Sequence, residues 1–190
     1  MAPAGVWAHT ESMSGVGAAA ARNARLVRSL RRGEFAALLV LLAQYLIGIV
    51  VNLFVKIPDH HPGSNPANYF GGVTASVAWA ITRGGLWLAL HAGLGLILVV
   101  ISLGLIVQAA RTEPRSHLAL TIVAAVFVLG AGFNGGSFLN YGLDASSFIM
   151  AALWAVATAC YVALLYLSGR DLAGRYEADR DRSGRDRPAR

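Results

Sequence analysis

Two adjacent histidines and an aspartate lie in a short polar stretch between two long apolar runs. The stretch, residues 56–72, reads KIPDHHPGSNPANYFGG and contains Asp59, His60 and His61. Imidazole nitrogens and carboxylate oxygens are ligands of zinc and copper, so these side chains, with His91, are a candidate divalent-metal site. Adjacent side chains on an extended chain point apart, however. The alternative is that the prolines and glycines of the stretch only turn the chain.

His91 lies in the second apolar run and is also a candidate haem ligand. Gly95 follows one helical turn later, which would leave room for a flat macrocycle beside the histidine. A second ligand at the same depth would have to be His60, His61 or Met150, because His117 begins the next run at the opposite side of the membrane. The alternative is an interior histidine that is hydrogen-bonded to Asn52 or Asn134.

Polar side chains in and next to the apolar runs concentrate toward the side that carries the histidine stretch. They are Asn52, His91, Asn134, Asn140 and Asp144. Polar groups are costly in lipid and usually face the interior of a helix bundle. We therefore expect a polar pocket below the histidine stretch.

Ion-coupled transport has less support in the sequence. A proton-driven carrier typically uses a carboxylate inside the membrane, and no Asp or Glu lies within any of the four apolar runs. Glu34 stands at the edge of the first run, beside Arg32, where we expect a solvated ion pair. No nucleophile–base pattern is evident either, so we identify no catalytic residue.

Four apolar runs must position these residues. The 190-residue chain is 56% hydrophobic and 14% charged, and its charges fall in the gaps between the runs. A helix of about 20 residues crosses a hydrocarbon layer of about 30 Å. The composition therefore predicts an all-α, four-helix transmembrane bundle in which consecutive helices pack antiparallel. The predicted spans are residues 35–55, 85–107, 118–138 and 148–167.

The basic residues predict the orientation of the bundle. Fourteen of the sixteen fall in the N-terminal segment, the second connection and the C-terminal tail, and only Lys56 and Arg83 fall in the other connections. Because basic segments stay on the cytoplasmic side, both termini are predicted to be cytoplasmic in a plasma-membrane protein. Residues 1–34 form a basic juxtamembrane segment, residues 35–168 the membrane domain, and residues 169–190 a charged tail that is predicted to be disordered.

Arginines before the first span predict contact with a lipid surface. They recur along a helical segment whose apolar side contains Leu26, Val27 and Leu30, which favours contact with anionic headgroups. No aromatic residues interleave with them, which argues against nucleic-acid binding. These arginines are Arg22, Arg25, Arg28, Arg31 and Arg32.

Three segments carry a family resemblance: VNLFVKIPDHHPG, LHAGLGLILVV and FNGGSFLNYGLDASSFIMA. Over about residues 35–168 they resemble small four-span bacterial membrane proteins, including actinobacterial ones. The resemblance implies the four-span fold and supplies no activity or cofactor. The arrangement is also similar to four-helix b-type cytochromes, but those pair histidines across helices at matched depth. This chain lacks that pairing, so the haem is not carried over.

Three functions are compatible with these features. The first is a non-enzymatic accessory subunit that binds partner helices through small-residue faces, such as Ala89 with Gly93 and Gly132 with Gly136. The second is a haem- or metal-binding redox protein that uses His91 and the histidine stretch. The third is a small-molecule carrier or channel. We favour the first, because it requires only the packing signals.

Overall fold

The protein is all-helical, as its composition predicted. The computed structural model describes residues 5–112 and 115–185, with side chains for residues 18, 19, 21–112, 115–178 and 180, and these ranges contain no strand. Residues 1–4 and 186–190, at the ends of the two predicted polar segments, lie outside the described residues. The helices are α1 (Gly5–Phe54), α2 (Tyr69–Arg83), α3 (Gly85–Ala109), α4 (Ser116–Tyr141) and α5 (Asp144–Arg185).

Four of these helices are long and apolar enough to cross a membrane. The qualifying segments are Ala21–Phe54, Gly85–Ala109, Ser116–Tyr141 and Asp144–Ala178. They contain the predicted spans, apart from residue 55 at the end of the first. Length and composition together fit a multi-pass integral membrane protein.

The four long helices form a ring in which each one packs against two others. Helices α1 and α4 each contact both α3 and α5. Only short connections join α3 to α4 and α4 to α5, so consecutive helices run antiparallel. The two ends of the bundle are named here for what they carry. The basic end holds residues 22–34, 109–117 and 164–172, and the loop end holds residues 55–84 and 139–146.

Buried residues recur on each long helix at alternating spacings of three and four. This 3.5-residue period is typical of helices that cross at a shallow angle with a left-handed twist, in water and in membranes. Most of the buried positions are apolar, but each helix also buries at least one polar side chain. The positions are Val27, Leu30, Glu34, Ala37 and Leu41 on α1; Leu98, Ser102, Leu105 and Ala109 on α3; His117, Thr121, Ala124 and Val128 on α4; Ala157, Tyr161, Leu164 and Ser168 on α5.

Helix α2 closes the loop end by packing against α3 and α4. It begins after Asn68, whose side-chain oxygen accepts a hydrogen bond from the Gly71 backbone N–H at 2.9 Å, a typical N-cap. A methyl group at Gly136 would lie 2.8 Å from Val73 Cγ1, so this glycine lets α2 approach α4.

The segment between α1 and α2 folds back over the bundle instead of extending away from it. The Asn65 backbone N–H donates to the Asn140 carbonyl at 2.8 Å, which joins the segment to α4. Gly63 adopts φ 93°, in the left-handed region that side chains disfavour. A methyl group there would overlap the Ser76 hydroxyl, so only glycine allows this approach to α2.

Helix α5 continues past the end of the predicted membrane domain. It remains helical to Arg185, whereas disorder was predicted from residue 169. The first turns of this extension carry Asp171, which bonds to His117 on α4 at 3.0 Å. The composition of this segment predicted a disordered tail, because composition alone does not show that Asp171 has a hydrogen-bond partner on α4.

Gly63→Ala should lower the thermal unfolding midpoint of the detergent-purified protein more than Gly85→Ala does. Both glycines have positive φ, 93° and 80°, so both substitutions carry a backbone cost of about 1–2 kcal/mol. Only at Gly63 does the added methyl meet another element, since nothing lies within 4 Å of a methyl at Gly85. Overpacking should add about 1–3 kcal/mol. Equal losses would contradict the close approach of this segment to α2.

Candidate functional site

The histidine stretch anchors the loop end through one of its two histidines. Asp59 and His60 are exposed, whereas His61 is half-buried and stacks on Trp79 with ring centroids 4.3 Å apart. Its two ring nitrogens lie 3.0 Å from the Pro62 carbonyl and 3.1 Å from the Leu139 carbonyl. Both nitrogens of His61 thus face backbone oxygen, and the described residues contain no group of three or more His, Cys, Asp or Glu placed to hold a metal.

Asn140 is the buried centre of the loop end. Its side chain is 1% exposed and lies 2.6 Å from Ser76 Oγ. In the better amide orientation, its two N–H groups are shared among Ser76 Oγ, the Gly63 carbonyl at 3.1 Å and the Gly72 and Gly136 carbonyls at 3.3 Å. One side chain thereby ties together the folded-back segment, α2 and α4.

The other residues of the predicted pocket have separate surroundings. Asn134 donates to the Gly130 carbonyl of its own helix at 2.9 Å. Asn52 and Asp144 are exposed. His91 bonds to α1, nearer the middle of the bundle. Of the five predicted pocket residues, only Asn140 is fully buried.

His91 is paired with Gln44 across the contact between α1 and α3. Gln44 Nε2 donates to the His91 carbonyl at 2.9 Å and lies 3.4 Å from His91 Nε2. Two glycines provide the room: a methyl at Gly48 would lie 3.0 Å from His91 Cε1, and one at Gly95 would lie 3.5 Å from Gln44 Nε2. The partner of His91 is therefore Gln44 and not an asparagine. The space beside Gly95 that would suit a macrocycle is occupied by that glutamine.

The basic end contains a buried polar cluster that sequence analysis missed. Glu34, His117 and Ser168 are each 0% exposed. Ser168 Oγ donates to Glu34 Oε2 at 2.9 Å and lies 3.4 Å from His117 Nδ1. His117 Nε2 lies 3.0 Å from Asp171 Oδ2. Side chains from α1, α4 and α5 thus form one continuous chain, Glu34–Ser168–His117–Asp171, called here the polar relay.

The relay reaches solvent at one end only. The Asp171 side chain is 20% exposed, whereas that of His117 is fully buried. At the other end, Glu34 Oε1 is buried without a hydrogen-bond partner among the described residues. An unpaired polar atom in a bundle interior is costly. Among the described residues, Glu34 Oε1 is therefore the one buried side-chain atom of the relay that lacks a partner.

The expected solvated ion pair of Glu34 with Arg32 is wrong. Glu34 lies between Leu30 and Ala37 in the buried face of α1, whereas Arg32 is exposed on another face of the helix. The three–four spacing of this face was the signal that could have located Glu34. It was missed because the residue stands at the edge of the apolar run, among arginines.

A second polar pair lies deeper in the same half of the bundle. Tyr161 Oη is 2.9 Å from Ser102 Oγ, and the Ser102 hydroxyl donates to the Leu98 carbonyl at 2.7 Å. Tyr161 precedes Ser168 by seven residues, which is about two turns or roughly 10 Å along α5. The two hydroxyl groups of this pair have hydrogen-bond partners, so the pair is a buried polar contact with which the relay can be compared.

The order Ser168, His117, Asp171 is that of a hydrolase triad, but the surroundings do not suit nucleophilic catalysis. A catalytic serine must be reachable by a substrate carbonyl and must give its proton to the histidine. Ser168 is fully buried, and its hydroxyl already donates to the Glu34 carboxyl. The cluster is better suited to moving a proton than to attacking a substrate.

Two hydrogen-bonding states of the relay contain the same number of protons. In one, His117 is an imidazolium that donates to Ser168 and Asp171, and Ser168 donates to the Glu34 carboxylate. In the other, the His117 Nδ1–H bond has broken, Ser168 has taken that proton and passed its own to Glu34, and His117 is neutral. Hydroxyl and imidazole groups can both donate and accept, so every bond survives the exchange.

Comparisons with protein-family models, with curated proteins and with solved structures find no match to this chain.

Asn140→Ala should destabilise the protein by about 1–3 kcal/mol, because it leaves Ser76 and several carbonyls without their buried partner. Asn134→Ala is the matched control, with an expected loss of about 0.5 kcal/mol or less, because its amide bonds only to its own helix. Unfolding in detergent, monitored by circular dichroism, measures both. A loss for Asn134→Ala as large as that for Asn140→Ala would show that the loop-end contacts contribute little.

Proposed function

We propose that this integral membrane protein transfers protons between Glu34, inside its bundle, and solution at its basic end. One observation carries the proposal: a fully buried carboxyl is joined by continuous hydrogen bonds to the part-exposed Asp171. Ionisable side chains that face the interior of a membrane bundle are typical of proton relays in pumps and carriers. The function class is the proton-coupled small-solute carrier, which the sequence had ranked below an accessory subunit because no interior carboxylate was recognised.

Each member of the relay has a distinct part. Asp171 meets solvent and holds His117 Nε2–H at 3.0 Å, which fixes the orientation of the ring. His117 presents Nδ1 to Ser168, and its backbone carbonyl accepts from Thr121 Oγ1 at 2.7 Å. Ser168 bridges the histidine and Glu34. The 3.4 Å gap between Ser168 Oγ and His117 Nδ1 is longer than an optimal hydrogen bond.

The orientation of the bundle decides which compartment the relay serves. Eight of the sixteen basic residues lie within the residue ranges of the basic end, and two, Lys56 and Arg83, lie within those of the loop end. The preference of basic segments for the cytoplasmic side supports cytoplasmic termini in the plasma membrane. Asp171 then exchanges protons with the cytoplasm, and the histidine stretch faces outward.

The accessory, partner-binding subunit is the second candidate. It is favoured by Gly93 and Gly132, at which a methyl group would meet nothing within 4 Å. Gly136, by contrast, is used within the fold against Val73. Two small-residue surfaces therefore remain open to a partner helix. In that case the relay would be a static clamp that joins α1, α4 and α5.

Infrared spectroscopy after a pH jump tests proton transfer on protein in lipid vesicles. The signal of Glu34 is the part of the pH-dependent carboxyl band that Glu34→Gln removes. Ser168→Ala should slow that signal at least about tenfold, because the bridging hydroxyl is lost. Ser102→Ala is the matched control, a buried serine outside the relay that should leave the rate unchanged.

A Ser168→Ala protein that exchanges as fast as Ser102→Ala would refute the relay. A pH-dependent carboxyl band that is the same in Glu34→Gln as in the unchanged protein, together with lower thermal stability in Glu34→Gln and Ser168→Ala, would favour the static clamp and the accessory-subunit function. Circular dichroism of each variant verifies that the helices are retained.

The orientation predicts opposite labelling of two introduced cysteines in a Cys160→Ser background. His60→Cys, on the exposed histidine stretch, should react with a membrane-impermeant maleimide in intact cells. Ala178→Cys, exposed near the end of α5, should react only after the membrane is opened. The reverse pattern would assign Asp171 to the outer side and invert the direction of proton exchange.

A further inference from the structure

A cavity of about 470 Å³ lies between α1 and α5 on the outer surface of the basic end. It is separate from the polar relay, whose buried members do not line it. Arginines form one side of the cavity, and apolar side chains form the other. The lining residues are Arg28, Arg31, Arg32, Phe35, Leu165 and Leu172.

The three arginines of this cavity are exposed and close together. No described carboxylate lies within ion-pair distance of any of them. A guanidinium group presents several N–H donors in a planar fork that matches phosphate oxygens. The charged side of the cavity is therefore complementary to a phosphate group.

The apolar side of the cavity is suited to a phosphate group that is attached to an acyl chain. Phe35, the first residue of the first apolar run, is 53% exposed, and Leu165 lies across from it on the membrane-spanning part of α5. The cavity thus crosses from a charged zone to an apolar zone, as a lipid does between headgroup and acyl chain. A free phosphate ion would use only the arginine side.

We infer that this cavity is a binding site for one anionic phospholipid. Its phosphate is held by Arg28, Arg31 and Arg32, and its acyl chain lies along Phe35 and Leu165. The site needs α5 as well as α1, because Leu165 and Leu172 supply part of its wall. It therefore differs from a general attraction of basic residues to a charged membrane surface, for which any arginine of α1 would serve.

Native mass spectrometry of the full-length, detergent-purified protein tests the site. The probes are phosphatidylglycerol, phosphatidylcholine and inorganic phosphate. Arg28→Gln with Arg32→Gln should weaken phosphatidylglycerol binding about tenfold or more, given about fivefold for each arginine near a headgroup. Arg22→Gln with Arg25→Gln removes the same charge outside the cavity and should change binding less than about twofold. Arg31 is kept in both because it also lies near Gly169.

Phe35→Ala separates the two sources of phosphate. It should weaken binding of phosphatidylglycerol and leave any binding of inorganic phosphate unchanged. Equal losses in the two double variants would overturn the site in favour of diffuse attraction to the surface. Inorganic phosphate that competes as well as phosphatidylglycerol would overturn the lipid assignment. Because this readout is binding alone, it is independent of proton transfer through Glu34.

Discussion

Lipid offers no hydrogen-bond partners, so every polar group inside this bundle must find one on its own helix or on a neighbouring helix. Several hydroxyl side chains solve the problem locally. Thr121 and Thr158 each donate to the carbonyl four residues earlier in their own helix, at 2.7 and 2.9 Å. Such residues add no connection between helices. The polar side chains that cross between helices therefore determine how the two ends of the bundle differ.

The loop end uses its cross-helix bonds to hold one arrangement. Asn140 and His61 bond mainly to backbone carbonyls, which have fixed positions and no protons to exchange. Aromatic stacking of His61 on Trp79 adds to the same anchoring. The histidine stretch thus covers the loop end of the bundle, and its contacts stabilise that end.

The basic end uses side chains that can both give and take protons. Serine, histidine and carboxyl groups meet there without a backbone group between them, so the bonds can reverse direction. The unpaired oxygen of Glu34 lies at the inner end of this series. Gln44 Oε1 and His91 Nδ1, near the middle of the bundle, are also buried without a partner. Among the described residues, buried side-chain atoms without a partner therefore occur both in the relay and at the contact between Gln44 and His91.

Periodicity and composition were enough to predict the all-helical class and the four spans, because burial in lipid demands long apolar helices whatever they pack against. They did not place the polar residues in relation to one another. Glu34, His117 and Ser168 are 51 to 134 residues apart in sequence, and nothing in any one of those segments indicates that they meet. His91 and Gln44 likewise pair because the two glycines at the crossing of α1 and α3 leave room for their side chains. The rotation of each helix about its own axis decides which side chains meet there. The sequence by itself determined which segments are helices, through local hydrophobicity. Only the tertiary structure decided which polar side chains share an environment, because that depends on how helices distant in sequence face each other.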